Sequence, residues 1–276
     1  MPTPEELDRI HIVLVRARNP NNIGAAARAM HDFGLRHLRV VNDFPVPFES
    51  ARSAVDASAV LADAVACASL AEAIADCTLV VGTTAVGERD LQHPLLPLPD
   101  AAPRILAELR RDTGPNSAPG RVALLFGSEK TGLSNEELSH CNFLLTVPMH
   151  QVEGERHLSM NLGQAVAVCL YELVRNEALV RDEPRQRKSM RVADAGLIPL
   201  DESNPAAEPA TAADLERLTT LLAETLERSG YLRRHPANCD PAQLRRLVRR
   251  MSADDNDAAI WMGIFRQLLW KLRRFS

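Results

Sequence analysis

Short apolar segments alternate with helical stretches along the first two thirds of the chain, and several of them run into glycine. Continuous apolar runs of this kind are typical of strands that lie in a parallel sheet and are covered on both faces. We predict five strands, over residues 9–15, 37–41, 77–83, 121–127 and 143–147. The sequence therefore predicts an α/β fold with a parallel sheet and helices on both of its faces.

Apolar residues at spacings of three and four predict the helices between these strands. We expect helices over residues 21–34, 100–111 and 159–179, with Gly34 placed to end the first of them. The alanine-rich stretch 49–75 is predicted to form one or two further helices.

The last third of the chain has a different character. A segment with four prolines and many charges separates it from the strands and indicates a linker. Three helical segments follow, with Thr211, Asp240 and Ser252 as their predicted N-caps. We therefore predict three parts, an α/β domain, a linker and a small all-helical C-terminal domain, over residues 1–180, 181–210 and 211–276.

Charge is divided unevenly along the chain. The 276 residues carry a net charge of −4, but residues 228–276 contain 11 basic and 4 acidic side chains. The C-terminal end is therefore positive, as expected of a module that meets an anionic partner. Four arginines on one face of the helix after Asp240 are predicted to contact that partner: Arg245, Arg246, Arg249 and Arg250. The alternatives are a solvated surface, or packing against acids of this chain or of a partner subunit.

Several classes of protein are excluded. No run of about 18 apolar residues lacks a charge, and the N-terminus carries acids where a secretory signal needs basic and apolar residues. We therefore predict a cytoplasmic protein with no membrane span. Five cysteines lie far apart with no C-x-x-C pair, which argues against a zinc site and a disulfide framework, so we expect no metal: Cys67, Cys77, Cys141, Cys169 and Cys239.

Common nucleotide-binding and hydrolytic motifs are missing as well. No G-x-G-x-x-G follows a predicted strand, which argues against a dinucleotide-binding oxidoreductase. Gly127 and Gly132 have the spacing of a P-loop, but Leu133 stands where that loop needs its lysine. The chain contains neither G-x-S-x-G nor H-E-x-x-H.

Three polar segments follow predicted strands, at the edge of the sheet where open α/β folds bind ligands. They read NPNNIGAAARAM, FGSEKTGL and LSMNL. Each has an ordinary structural interpretation: Arg28 is placed to pair with Asp32 on a helix surface, and Ser159 is placed to cap a helix. Ser134 and Glu137, just beyond the second segment, form a capping box.

Taken in order, N-x-G-x-x-x-R, F-G-x-E-x-x-G-L and L-S-M-N-L resemble the SpoU branch of the SPOUT RNA methyltransferases over residues 9–179. The segment DLERLTTLLAETLERSGYL, followed by LRRLVRRM, is similar to the C-terminal extension of the TrmJ-type tRNA 2′-O-methyltransferases. This resemblance implies a SPOUT fold, in which the sheet ends in a trefoil knot. It also implies a homodimer that methylates tRNA, at nucleotide 32 of the anticodon loop, with S-adenosylmethionine as methyl donor.

The resemblance also assigns residues by motif. The catalytic residues it implies are Asn22, Arg28, Glu129, Ser159 and Asn161. The cofactor-binding residues it implies are Thr83, Thr84, Ala85, Gly127, Val147, Leu158, Ser159 and Met160. The four arginines of the C-terminal part become candidates for binding tRNA.

Two departures from the family pattern and two alternatives remain, and one departure is that the segment between Leu232 and Leu244 is longer than we expect. The stretch PMHQVEGERH, residues 148–157, is longer and more charged than we expect for this family, which leaves the contacts of that loop open. The alternatives are a ribosomal RNA ribose 2′-O-methyltransferase of the same superfamily and an inactive RNA-binding protein on the same fold.

Overall fold

A computed structural model describes residues 1–42, 58–85, 91–111, 119–150, 160–175 and 208–274. Its strands form one parallel sheet with the order β3-β2-β1-β6-β4-β7-β5. The strands are β1 (Ile10–Val15), β2 (His37–Val41), β3 (Val65–Cys67), β4 (Leu79–Thr83), β5 (Leu95–Pro97), β6 (Val122–Phe126) and β7 (Phe143–Thr146).

The strands at the centre of the sheet end side by side. Leu14 of β1 pairs with Phe126 of β6, and Gly82 of β4 pairs with Leu125 of β6 and Leu144 of β7. The segments that follow these four strands therefore leave the same edge of the sheet. That edge carries the carboxyl ends of the strands, where open α/β sheets bind their ligands.

The described helices are α1 (Pro4–Leu7), α2 (Pro20–Asp32), α3 (Ser58–Ala62), α4 (Leu70–Ala73), α5 (Leu98–Arg110), α6 (Asn135–Leu138), α7 (Leu162–Val174), α8 (Ala212–Arg228), α9 (Tyr231–Arg234), α10 (Pro241–Arg250) and α11 (Asp255–Leu272). Alternate residues of a strand point to opposite faces of the sheet. Accordingly, Ile12 and Leu124 pack with α2, α5 and α7, whereas Val13 and Leu125 pack with α4 and α6. The prediction of a parallel sheet with helices on both faces is confirmed.

The five predicted strands are present to within two residues at each end. Two further strands, β3 and β5, were not predicted. The stretch 58–75 contains the helices α3 and α4, as expected, but β3 lies between them. Residues 49–57, 159 and 176–179 of the predicted helices lie outside the described residues, and the trefoil knot stays a prediction.

The C-terminal helices pack around a small core of their own. Leu215 and Leu218 of α8 contact Val248 of α10, together with Ala258 and Phe265 of α11. The start of this region is attached to the α/β part, because the backbone N–H of Ala212 donates a 2.8 Å hydrogen bond to the carbonyl of Cys77. The helical C-terminal region is confirmed, and it lies against the α/β part.

Two of the three predicted N-caps of this region are confirmed. The side chains of Thr211 and Asp240 accept hydrogen bonds from the first turns of α8 and α10. The prediction for Ser252 is wrong, since Asp254 caps α11 by accepting from the backbone N–H of Asp257. Ser252 lies in the left-handed region, with φ of 48°, and so forms part of the turn that precedes the helix.

Buried histidines make the fold sensitive to acid. Burial, with the nearby Arg39, lowers the pKa of His11 to about 4, and burial beside Arg246 lowers the pKa of His93 to about 4. Burial and Arg245 also lower the pKa of His140. These imidazoles are neutral in the folded chain at pH 7 and become protonated more readily when it unfolds.

We expect the free energy of unfolding to fall as the pH drops from 6.5 to 4. The unfolded chain binds more protons than the folded chain in that window, and His11 alone contributes about 3 kcal/mol to the loss. Urea unfolding at pH 7 and at pH 4.5, for the wild type and for His11→Gln, measures this contribution. An equal loss of stability in both proteins would show that His11 does not contribute.

Candidate active site

Side chains from three separated segments meet at the carboxyl edge of the sheet. The amide nitrogen of Asn22 donates a hydrogen bond to Oε1 of Glu129 at 2.8 Å. The amide nitrogen of Asn161 donates to Oδ1 of Asn22 at 3.0 Å. The structure therefore brings together three of the five predicted catalytic residues, although Asn22 lies more than 100 positions before the other two along the chain.

The direction of this chain of hydrogen bonds is set by a helix cap. Asn161 is the N-cap of α7, and its Oδ1 accepts from the backbone N–H of Gly163 at 2.9 Å. Since the oxygen is used for the cap, the NH₂ group of Asn161 faces Asn22. Asn22 then turns its own NH₂ group to Glu129. The carboxylate of Glu129 is thereby held in place as an acceptor at the exposed end of the chain.

A close approach of two helices makes these contacts possible. A Cβ atom at Gly163 would lie 2.5 Å from the Cβ of Ala25, so only glycine fits where α7 crosses α2. This brings Asn161 at the start of α7 next to Asn22 in the first turn of α2. Gly163 was not among the predicted site residues, although it directly follows the L-S-M-N-L motif.

Arg28 lies on α2 apart from this chain of hydrogen bonds. Its side chain is 48% exposed, and its Nε lies 3.4 Å from Oδ1 of Asp32. This is the surface ion pair with Asp32 that the ordinary structural interpretation of Arg28 predicts. It leaves much of the guanidinium open to solvent. Ser159, the fifth predicted catalytic residue, lies outside the described residues.

Five of the predicted cofactor residues lie at the ends of β4, β6 and β7. The hydroxyl of Thr83 donates to the carbonyl of Leu125 at 2.9 Å, and the backbone N–H of Thr84 donates to the carbonyl of Leu145 at 3.0 Å. These bonds tie the ends of the three strands together. Ala85, Gly127 and Val147 at this edge are half-buried or exposed, and Met160, just before α7, is half-buried. Leu158 lies outside the described residues.

The loop after β6 is tightly closed. The backbone N–H of Gly132 donates to the carbonyl of Ser128 at 2.9 Å, and a Cβ atom at Gly127 would lie 2.1 Å from the carbonyl carbon of Gly132. Gly127 therefore makes room for the chain to fold back on itself. This fixes the loop that carries Glu129.

Arg16 holds the same loop from the end of β1. Its guanidinium pairs with both carboxylate oxygens of Glu137, at 2.7 and 2.9 Å, and donates to the carbonyl of Gly132 at 2.9 Å. Glu137 also completes the predicted capping box with Ser134. The sequence pattern predicts only the capping role of Glu137, and nothing in the sequence marks Arg16 as its partner.

The four arginines of α10 do not share one exposed face. Arg245 pairs with both oxygens of Glu216, at 2.8 and 2.9 Å, and donates to Oγ of Ser139 at 2.8 Å. Arg249 is buried, and burial lowers its pKa to about 10. The prediction of a four-arginine outer face is therefore wrong, because two of the side chains turn inward, and Arg245 contacts the α/β part.

The other two arginines of α10 are in different surroundings. Arg250 is exposed, and Arg246 lies 3.8 Å from the carboxylate of Asp240 at the start of its own helix. Arg250 is therefore open to an anionic ligand, whereas the side chain of Arg246 is only 18% exposed and offers a ligand its edge alone.

The described residues contain one group with ligand atoms close enough for a metal ion, formed by His11, Asp76 and Cys77. Burial alone would raise the pKa of Asp76, but hydrogen bonds from Arg39 and Arg121 hold it well below its usual range. Burial raises the pKa of Cys77 to about 12, so this side chain is a thiol. Two arginines and a thiol make a poor cation site, and the absence of a metal stays a prediction. All five cysteines are free.

The arrangement at the carboxyl edge is that of an α/β enzyme, with a rigid loop and a fixed set of polar side chains beside the ends of the central strands. The chain belongs to the SpoU rRNA Methylase family, which matches residues 9–171. It is therefore a methyltransferase.

Within the described residues, no helix has the length and apolar character that a membrane span requires.

Individual relatives match more of the chain than residues 9–171, which the family matches. The tRNA (cytidine/uridine-2′-O-)-methyltransferase TrmJ of Sodalis glossinidius is 33% identical over 259 residues, 94% of this chain and 90% of the relative. The tRNA (cytidine/uridine/adenosine-2′-O-)-methyltransferase TrmJ of Pseudomonas aeruginosa is 33% identical over 94% of this chain and 93% of its own length. The crystal structure of TrmJ from Z. mobilis ZM4 is similar with a TM-score of 0.70 and 28% identity, covering 94% of this chain and 98% of that one.

Proposed function

We propose that this protein transfers a methyl group from S-adenosylmethionine to a ribose 2′-hydroxyl of tRNA, at nucleotide 32 of the anticodon loop. The observation that carries the proposal is the joined set Asn22, Glu129 and Asn161 at the carboxyl edge of the sheet. The names of the relatives support tRNA as substrate, and the match to them extends through the C-terminal helices. Their names differ in the bases accepted, so we assign no base.

The strand ends suit the methyl donor. S-adenosylmethionine supplies, when bound, a methyl group on a positively charged sulfur. Residues 83–85, Gly127, Val147 and Met160 would hold it, together with Leu158 and Ser159, largely through backbone groups. The rigid backbone around Gly127 and Thr84 supports this assignment, because fixed N–H and carbonyl groups recognise a nucleoside without side-chain chemistry.

Arg28 acts on the ribose hydroxyl in this proposal. A guanidinium stays protonated throughout the physiological pH range, so it does not serve as the base. Arg28 instead orients the hydroxyl and the neighbouring phosphate and stabilises the alkoxide as negative charge develops on oxygen. A phosphate oxygen or a water molecule accepts the proton. Asn22, Glu129, Ser159 and Asn161 shape the pocket in which this hydroxyl lies.

The proposal includes a homodimer in the cytoplasm, with tRNA held partly by the C-terminal helices. A ribosomal RNA methyltransferase is the second candidate, since the family is described by that substrate. Incubation with labelled S-adenosylmethionine and separate pools of tRNA and rRNA decides between them. Label in tRNA supports the proposal, label in rRNA alone supports the second candidate, and no label in either indicates an inactive RNA-binding protein.

We expect the double variant Arg246→Gln, Arg250→Gln to bind tRNA more weakly. The slope of log affinity against log salt should become less negative by about 1 to 2, because fewer counterions are released when fewer phosphates are contacted. The matched control is Arg245→Gln, which removes the contacts to Glu216 and Ser139. That variant should lose thermal stability and keep the wild-type slope. An unchanged slope in the double variant would remove Arg246 and Arg250 from the RNA surface.

A further inference from the structure

Arg249 of α10 carries a buried charge that no described group of the protein pairs with. The residue is 6% exposed, and its Nε and Nη2 atoms are buried without a hydrogen-bond partner among the described residues. Burial lowers its pKa to about 10, so the guanidinium is still charged at pH 7. Leaving a charge unpaired inside a protein is costly, and such a group in a native fold calls for a partner.

The two unpartnered atoms form the edge with which an arginine binds two oxygens at once. Their N–H bonds run nearly parallel, which matches the oxygen spacing of carboxylates and phosphates. Arg16 uses this edge, Nε with Nη2, to bind both oxygens of Glu137. Arg245 uses it in the same way on Glu216. Arg249 has the same edge, and the described part of the chain supplies no oxygens to it.

The groups that act electrostatically on Arg249 do not neutralise it. Glu216 is the carboxylate among them, and both of its oxygens accept from Arg245, at 2.8 and 2.9 Å. Cys77 and Cys141 also lie near, but burial raises the pKa of each to about 12, so both are neutral thiols. Since both cysteines belong to the core of the α/β part, Arg249 lies where α10 meets that part.

A buried imidazole lies near the same junction. Nε2 of His93, in the segment before β5, has no hydrogen-bond partner within the described ranges. Burial lowers the pKa of His93 to about 4, and the charges of Arg246, Arg250 and Arg249 lower it further. Three guanidinium groups are therefore close to a neutral ring that is able to donate one hydrogen bond. This combination favours an anion with two negative charges over an anion with one.

We infer that the junction between α10 and the α/β part binds a free phosphate dianion on the Nε–Nη2 edge of Arg249. Two phosphate oxygens accept from that edge and a third accepts from His93, while Arg246 and Arg250 add favourable charge. The edge is closed to solvent, so the phosphate of a polynucleotide chain does not fit this site. The bound dianion stabilises the contact between the C-terminal helices and the α/β part.

Melting curves of the full-length chain, in phosphate and in chloride at equal ionic strength, test this inference. About 10 mM phosphate should raise the wild-type melting temperature by about 3 °C, the shift expected when a ligand is at ten times its dissociation constant. Arg249→Met removes the edge and should show little of this shift. In chloride this variant should melt at the wild-type temperature or above, because an apolar side chain replaces a buried unpaired charge.

Arg266→Met is the matched control, since Arg266 is exposed on α11 and the change removes the same charge. It should keep the wild-type response to phosphate. Equilibrium dialysis with radiolabelled phosphate, left overnight because the packed junction has to open, measures binding directly. Arg249→Met should lose the phosphate that the wild type and Arg266→Met bind. Arg249→Lys keeps the charge without the two-pronged edge and should bind about tenfold more weakly than wild type.

Two results would overturn the inference. The first is a wild-type protein whose melting temperature responds to phosphate no more than that of Arg249→Met, which shows that phosphate acts only as a general salt or at the surface. The second is an Arg249→Met protein that melts well below wild type in chloride, or does not fold, together with wild-type phosphate binding by Arg249→Lys. That result shows that the guanidinium is paired within the chain.

Discussion

Replacing Arg28 with alanine is expected to lower the rate of methyl transfer by about a thousandfold or more, which is the scale of losing a group that stabilises developing charge. The affinity for S-adenosylmethionine should stay within a few-fold of wild type. Arg28 lies on α2 with a half-exposed side chain, and our proposal gives it contacts to the ribose hydroxyl and the phosphate and none that hold the methyl donor. A group that acts mainly on the transition state changes kcat and not ground-state binding.

The matched control for Arg28 is Asp32→Asn. This change removes the ion pair between Nε of Arg28 and Asp32 but keeps the arginine. Under our proposal Asp32→Asn retains most of its activity, whereas Arg28→Ala loses it. Single-turnover rates and calorimetric binding of S-adenosylmethionine separate the two effects. Near-normal turnover in Arg28→Ala would show that this side chain serves only as a surface ion-pair partner.

Replacing Gly127 with alanine is expected to cost about 3 kcal/mol or more of stability, because the new Cβ has no room and backbone must move. The added atom would lie 2.1 Å from the carbonyl carbon of Gly132 and 2.3 Å from the backbone nitrogen of Leu133. Opening this loop should also displace Glu129 and abolish binding of S-adenosylmethionine at the adjacent strand ends.

Gly132→Ala is the control in the same loop. Gly132 has φ of +65°, but a Cβ atom there would meet nothing within 4 Å. Alanine should therefore cost only about 1 to 2 kcal/mol, the strain of the left-handed conformation. Urea unfolding and calorimetry compare the two variants. Equal stability of Gly127→Ala and wild type would mean that the loop has another conformation in solution.

The central strands were predictable because their apolar runs are long and buried on both sides. The two missed strands are three residues long and lie at the edges of the sheet. β5 ends in Pro97, which fits an edge strand but weakens the pattern of a strand in the sequence. β3 lies in an alanine-rich segment whose composition favours helix. Local sequence carries little information where a strand is short and pairs on one side.

Three residues that the structure joins at the candidate site could be selected from the sequence, but the hydrogen bonds between them could not be predicted. Asn22, Glu129 and Asn161 were selected by motif, whereas the donor–acceptor order among them depends on the cap at the start of α7. The error over α10 has a similar cause. Its arginines form a regular pattern along the helix, but Glu216 and Ser139, which bind Arg245, are distant in sequence. Periodicity shows which side chains share a face and does not show what that face meets.

The central claim is the transfer of a methyl group to one ribose of the tRNA anticodon loop. The most direct test is to incubate the purified protein with an unmodified tRNA transcript and S-adenosylmethionine, digest the RNA and map the product by mass spectrometry. The account predicts one added methyl group on the ribose of nucleotide 32, and none with Arg28→Ala. A methyl group on a base, or on the ribose of a different nucleotide, would contradict it.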